Sequence, residues 1–253
     1  MILDRFSLKG ETALVTGSSR GLGAGIAMAL AEAGARVAVH GSQSAPEETL
    51  RQLAPVAGDH LALVADVSEE SACAELIQKT VEHFGRIDIL VNNAGIIRRA
   101  PAIEHSEADW KAVLDTNLTS VFRLSQHAGR CMLAQQSGKI INIASLLTFQ
   151  GGILVPSYAA AKGAVGQLTK AFANEWAAKG VNVNAIAPGY MATDNTEALR
   201  NNPDRARQIL ERIPAGRWGT AADLAGAAVF LASSASDYLH GHILVVDGGW
   251  LCR

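Results

Sequence analysis

Cysteine is scarce in this chain. Three occur in 253 residues (Cys73, Cys131 and Cys252), widely spaced and odd in number. They form no disulfide framework and no metal-ligand spacing, so no bound metal is expected, and a reducing, cytoplasmic setting is. An excess of either charge is also missing. Twenty-two Lys and Arg stand against 24 Asp and Glu, for a net charge of −2. Nothing in that balance points to nucleic acid or to an anionic membrane surface. No apolar run reaches the roughly 18 residues of a membrane span. Asp4, Arg5 and Lys9 interrupt the apolar residues at the start, so a signal peptide is not expected there. Aromatic residues make up only 5%, which leans against a long apolar substrate tunnel. Repeats, low-complexity tracts and breaks in composition are absent, and one domain is expected over residues 1–253.

What is present alternates. Short apolar runs at Thr12–Val15, Arg36–His40, His60–Ala65, Ile87–Val91, Lys139–Ala144, Val181–Ile186 and Ile243–Val246 read as buried strands. Between them lie helix-like stretches: Ala24–Ala33, closed by Gly34; a helix to Phe84 with Ser68 as its cap; Ser106–Asp115; Leu118–Gln135; Ser157 to about Ala178; and Ala221–Ala232, capped by Thr220. Such alternation predicts an α/β fold, a doubly wound Rossmann-type parallel sheet with helices on both faces. Asp194–Arg212 is polar and helical in potential, with little apolar periodicity to pin it, and is the best candidate for a mobile lid, a stable surface helix being the alternative.

The first strand runs into Thr16-Gly17-Ser18-Ser19-Arg20-Gly21-Leu22-Gly23 and then a helix. A glycine loop there lets backbone N–H groups approach a pyrophosphate at a helix N-terminus. The spacing is Gly-x-x-x-Gly-x-Gly rather than the commoner Gly-x-Gly-x-x-Gly. After the second strand comes His40-Gly41-Ser42, with no acid until Glu47. An acid there would hold ribose hydroxyls and repel a 2′-phosphate. Its absence, with Arg20 in the loop, leans towards NADP, although Arg20 could be a solvated charge and a Gly-Ser backbone also accepts a plain ribose. Asp66, followed by Val67, ends the third strand and could meet an adenine amino group or cap its own loop. Asn92-Asn93-Ala94-Gly95 follows the fourth strand, where small residues and amides suit close approach to a cofactor.

Ser145 stands at the end of the fifth strand, and Tyr158 and Lys162 are four apart on the next helix, on one face. An ammonium beside a phenol favours the phenolate and lowers its pKa from about 10, making it a usable acid or base. Asn117 falls between two helical stretches, where it could kink the helix, hold a water or mark an ordinary junction. Pro188-Gly189 ends the sixth strand.

In this order, Thr16-Gly17-x-x-x-Gly21-x-Gly23, Asn92-Asn93-Ala94-Gly95, Asn117, Ser145, Tyr158-x-x-x-Lys162 and Pro188-Gly189 resemble the short-chain dehydrogenase/reductase family over nearly the whole chain. The resemblance implies that Tyr158 is the general acid/base and that Ser145 holds the reacting oxygen. Lys162 would lower the Tyr158 pKa and bind the nicotinamide ribose, and Asn117 would hold a water linking Lys162 to solvent. The cofactor, NAD(P), would lie on Gly17, Ser19, Arg20, Gly21, Leu22 and Gly23, then on His40, Gly41 and Ser42. Asp66 and Val67 would meet the adenine. Asn93, Ala94 and Gly95 would line the ribose side, and Tyr158, Lys162, Pro188 and Gly189 the nicotinamide side. A homotetramer built on the long helices and the last strand is also implied. Trp250 and Leu251 could be covered by that interface or tuck against their own sheet.

Ile96-Ile97-Arg98-Arg99, Ser145–Gly152, Ala187–Thr193, Ile213–Gly219 and Val246–Leu251 resemble a branch of the family that acts on sugar acids such as 2-deoxy-D-gluconate or 2-dehydro-3-deoxy-D-gluconate. The His40-Gly41-Ser42 stretch departs from that branch. A carboxylate substrate calls for an arginine. Arg98 or Arg99 is expected to bind it, with Gln150 and Asn195 hydrogen-bonding hydroxyls. Two other readings stand beside this one: a 3-oxoacyl-thioester or small-ketone reductase of the same family, and a nucleotide-sensing regulator without catalysis.

Overall fold

A computed structural model describes residues 1–253. Seven parallel strands form one sheet in the order β3-β2-β1-β4-β5-β6-β7. They are β1 (Thr12–Val15), β2 (Arg36–Gly41), β3 (Leu61–Val64), β4 (Ile89–Asn92), β5 (Gly138–Ile143), β6 (Val181–Pro188) and β7 (Ile243–Val246). The main helices are α1 (Gly21–Glu32), α2 (Glu47–Leu53), α3 (Glu70–Phe84), α4 (Glu107–Leu114), α5 (Ser120–Gln135), α6 (Pro156–Trp176), α7 (Glu197–Arg200), α8 (Pro203–Arg212) and α9 (Ala221–Ala232). The doubly wound fold read from the alternation is the one observed.

The sheet is apolar on both faces because both are covered. Successive residues of β1 point oppositely. Ala13 and Val15 pack with Ile26 and Leu30 of α1 and Leu224, Ala228 and Leu231 of α9. Leu14 joins the other core, with Leu76 and Ile77 of α3, Leu124 and Met132 of α5 and Phe172 and Trp176 of α6. Each fully buried Leu or Ile contributes about 1.5–3 kcal/mol.

Strand order reverses between β1 and β4, which pair in parallel with Val15 beside Val91. β1 continues outward to β2 and β3, and β4 to β5, β6 and β7. The loops leaving the carboxyl ends of β1 and β4 therefore diverge to opposite faces and leave a crevice, the expected ligand position in an open α/β sheet.

Two local expectations are corrected, one helix is added and one open alternative is decided. Helix α2 was not foreseen; its buried residues are only Thr49 and Leu53, too few for a clear apolar stripe. The cap of α3 is Glu69, not Ser68, whose amide and hydroxyl instead donate to Asp66 Oδ1 at 2.9 and 2.7 Å. The Asp194–Arg212 stretch is three short pieces, broken where Asn202 caps α8 and Pro203 begins it. It is also pinned, because Ile209 packs with Leu146, Ile213 and Trp250. Trp250 itself is 4% exposed within this one chain, so covering it needs no partner.

Candidate active site

The crevice at the switch point opens into a cleft of about 750 Å³. The glycine loop forms one wall. Gly17 and Gly21 have φ of +61° and +59°, a region that glycine enters without a Cβ penalty. Gly23 permits close approach: a Cβ there would stand 2.4 Å from both Asn93 Nδ2 and Gly17 O. Helix α1 begins with no side-chain cap and no acid in its first turn. Its leading N–H groups and positive dipole end thus face the cleft unneutralised, which fits the pyrophosphate of a dinucleotide.

Most of the expected cofactor residues line this cleft: Gly17, Ser19, Arg20, Gly21, Leu22, Gly23, His40, Ser42, Asp66, Val67, Asn93, Ala94, Gly95, Tyr158, Lys162, Pro188 and Gly189. Gly41 does not. It turns β2 under the cleft, where a Cβ would meet Ser44 O. Asn93 braces the loop from behind, its Nδ2 donating to Thr16 O and Gly17 O at 2.9 Å each. Asp66 caps its own turn through Ser68 while lining the cleft. Arg20 pairs with Asp194 at 2.8 Å across the mouth, both side chains well exposed.

Ser145 leaves β5 in extended conformation, and its hydroxyl accepts from Leu147 N at 3.2 Å to start a short 3-10 turn. Pro156 at the first turn of α6 brings Tyr158 and Lys162 round to meet it. Lys162 is 4% exposed. Its ammonium donates to Ile143 O at 2.5 Å and lies 5.6 Å from the Tyr158 ring centroid. Burial lowers its pKa to about 8, leaving it mostly charged at neutral pH.

The expected lowering of the Tyr158 pKa by Lys162 is not found. Burial dominates and pushes the phenol up from its usual range, while the Ser145 hydroxyl and the Arg99 charge pull it back. The lysine charge is directed at the Ile143 carbonyl, not at the phenol oxygen. Asn117 takes the kink that its place between two helices allowed. It lies fully buried in a π-turn, Asp115–Thr119, that joins α4 to α5. Its Oδ1 accepts from Ile96 N and its Nδ2 donates to Ile96 O, both at 2.8 Å. The side chain clamps the loop after β4 and does not itself line the cleft.

The expected substrate residues divide. Arg98 lines the cleft and pairs with Asp109 at 3.3 Å. Arg99 donates to Asn195 O at 2.8 Å, and its charge reaches Tyr158. Asn195 lines the cleft. Gln150 does not; its Oε1 accepts from Trp250 Nε1 at 3.4 Å, and the C-terminal aromatic cluster draws it away. Sequence reasoning missed Gln43, Ile96, Lys111, Thr116, Met191 and Thr193, which also line the cleft. Of these, Ile96, Met191 and Thr193 lay inside stretches that carried the resemblance.

A family model described as enoyl-(acyl carrier protein) reductase matches residues 17–251. The chain belongs to the short-chain dehydrogenase/reductase family. As a member, it is an NAD(P)-dependent oxidoreductase acting on CH–OH groups, which sets aside the non-catalytic regulator. The 2-dehydro-3-deoxy-D-gluconate 5-dehydrogenase of Dickeya dadantii is 56% identical, over all of both chains. A provisionally named 2-deoxy-D-gluconate 3-dehydrogenase from Agrobacterium tumefaciens, solved with bound NADP, is 55% identical over 99% of this chain and all of its own, with a TM-score of 0.92. A gluconate 5-dehydrogenase from Burkholderia cenocepacia, in complex with NADP and tartrate, is 42% identical over all of both chains, with a TM-score of 0.93. The branch expected from the Arg98-Arg99, Ala187–Thr193 and Val246–Leu251 stretches is thus the one these relatives carry. No helix is long and apolar enough to cross a membrane, and no cluster of three or more His, Cys, Asp and Glu side chains is placed to hold a metal.

Proposed function

We propose that this short-chain dehydrogenase/reductase moves a hydride between NADP(H) and a secondary alcohol or ketone of a sugar acid, 2-dehydro-3-deoxy-D-gluconate or 2-deoxy-D-gluconate. The observation that supports the reading is the meeting of Ser145, Tyr158 and Lys162 in the cleft, with Arg98 lining it and Arg99 bonded to the carbonyl of the cleft residue Asn195. When bound, the nicotinamide supplies or accepts the hydride. The chain's own residues do the rest. Tyr158 exchanges a proton with the reacting oxygen, and Ser145 holds that oxygen within reach of the phenol. Lys162, buried and charged, stabilises negative charge around them and binds the ribose. Arg99 binds the substrate carboxylate, and Arg20 meets the 2′-phosphate once freed from Asp194. Asn117 acts indirectly, by holding the loop after β4 through Ile96.

The test is nicotinamide absorbance with each sugar acid, with NAD and NADP separately, beside a 3-oxoacyl thioester. Turnover of a sugar acid is expected, abolished by Tyr158→Phe with cofactor binding kept. Turnover of the thioester alone would remove the substrate assignment, and an active Tyr158→Phe would remove the role of the phenol.

We also infer one cytoplasmic domain that assembles as a homotetramer. Phe122 on α5 is 40% exposed and stacks on Phe172 of α6 at 6.1 Å, an apolar outer face suited to a second copy. A monomeric mass in solution would overturn the assembly.

A further inference from the structure

His40, near the end of β2, is a buried residue, 1% exposed. Three loops meet on this residue. Its backbone N–H donates to Ser18 Oγ at 2.8 Å and its carbonyl accepts from Ser18 N at 2.9 Å. Its ring Nδ1 faces the N–H of Gly17 at 3.0 Å, and its Nε2 faces the carbonyl oxygen of Ala65 at 2.9 Å. A backbone N–H can only donate and a carbonyl can only accept. The ring must therefore be neutral, with Nδ1 bare and the proton on Nε2. One side chain thus spans from the first glycine of the pyrophosphate loop to the residue before Asp66, on the opposite bank of the cleft.

We propose that His40 is a positioning residue for the cofactor cradle: as the neutral Nε2–H tautomer it sets the spacing between Gly17 and the Asp66 turn, and its protonation releases Gly17 and weakens nucleotide binding. A proton on Nδ1 would oppose the Gly17 N–H with a second donor, and that half-buried N–H would lose its partner. The surroundings hold the neutral form. Burial keeps the imidazole below its ordinary pKa, with the Ala65 carbonyl and the Asp66 carboxylate pulling the other way. Gly17, Ser18 and Ala65, which contact it, are uncharged, and the Arg20 guanidinium is engaged with Asp194. The sign follows. The ring is neutral at pH 7, so the dissociation constant stays flat there and rises as pH falls through a value below 6.5.

This inference rests on reading the cleft as the NAD(P) site, and two measurements separate the two. The first needs no cofactor. Nitrogen-15 NMR of the imidazole in the free protein should show Nδ1 unprotonated and Nε2 protonated; the opposite tautomer, or a charged ring at pH 7, overturns the proposal. The second is titration of intrinsic fluorescence with NADP and with NAD from pH 7.5 down to about 5, the lower limit set by ordinary His titration. His40→Asn keeps an acceptor near the position of Nδ1 and cannot titrate. It gives up the donor to Ala65, so it should bind both nucleotides more weakly at pH 7, and it should lose the wild-type acid limb. His40→Gln keeps a donor for Ala65 but no acceptor for Gly17, and should weaken both nucleotides about tenfold or more. Titration of the 2′-phosphate itself is common to wild type and variants and cancels in the comparison. Tighter wild-type binding on acidification would make His40 a cation for the phosphate and refute the positioning role, as would an acid limb that persists in His40→Asn.

Discussion

Replacing Arg99 with alanine should raise the sugar-acid KM while the same change at Arg98 should not, although Arg98 and not Arg99 lines the cleft. Arg98 is already paired with Asp109. Arg99 gives one N–H to Asn195 O and keeps the rest of its five donors. A charge-assisted hydrogen bond contributes about 1.5–3 kcal/mol. Arg99 is exposed, so solvent offsets part of that, leaving about 1–2 kcal/mol, or five- to thirtyfold in KM. A second signature comes from Tyr158. The Arg99 charge lowers the phenol pKa against the burial that raises it. Without Arg99 the pKa moves further up. Alcohol oxidation needs the phenolate, so the rising limb of kcat against pH should shift to higher pH in Arg99→Ala. Steady-state kinetics over a pH series, with Arg98→Ala as the control, measures both. Equal KM changes in the two variants, or a limb that stays where it is, would refute the reasoning.

Two further outcomes test the cradle. Gly23→Ala places a methyl 2.4 Å from Asn93 Nδ2 and Gly17 O; the loop must shift, and the cofactor dissociation constant should rise about tenfold or more, with circular dichroism checking that the fold survives. Unchanged affinity would show that the loop is not the pyrophosphate site. Arg20→Ala breaks only an exposed pair with Asp194, so thermal stability should hold within about 0.5 kcal/mol while the preference for NADP over NAD falls about tenfold; an equal loss for both nucleotides would rule out contact with the 2′-phosphate.

Strand and helix alternation was legible because the period of apolar residues is a local property. Ala13–Val15 and Ile89–Val91 are apolar throughout, as strands covered on both faces tend to be, while Asn182 and Asn184 interrupt the run at Val181–Ile186. Boundaries moved by a residue or two, as at Leu61–Val64 and Ile89–Asn92, since ends are set by pairing partners. Helix α2 escaped because it buries so little. Ser145, Tyr158 and Lys162 were legible because their types and spacing carry the chemistry.

Where each polar atom points was not legible. His40 lines the cleft as expected, but its ring also braces Gly17 and Ala65, which its place in the sequence does not show. Asn117 read as a kink, a water holder or a plain junction, and its side chain clamps Ile96 from a π-turn. Gln150 read as a hydroxyl binder and faces Trp250, a hundred residues away. Tyr158 read as a phenol lowered by its lysine and is raised by burial. Sequence alone determined the seven strands, the longer helices, their order along the chain, and the set of reactive residues at the carboxyl ends of the strands. Only the tertiary structure decided which of those residues face the cleft and which face the loops behind it. A side chain's hydrogen-bond partner and its desolvation depend on neighbours far along the chain, and spacing along the chain does not encode them.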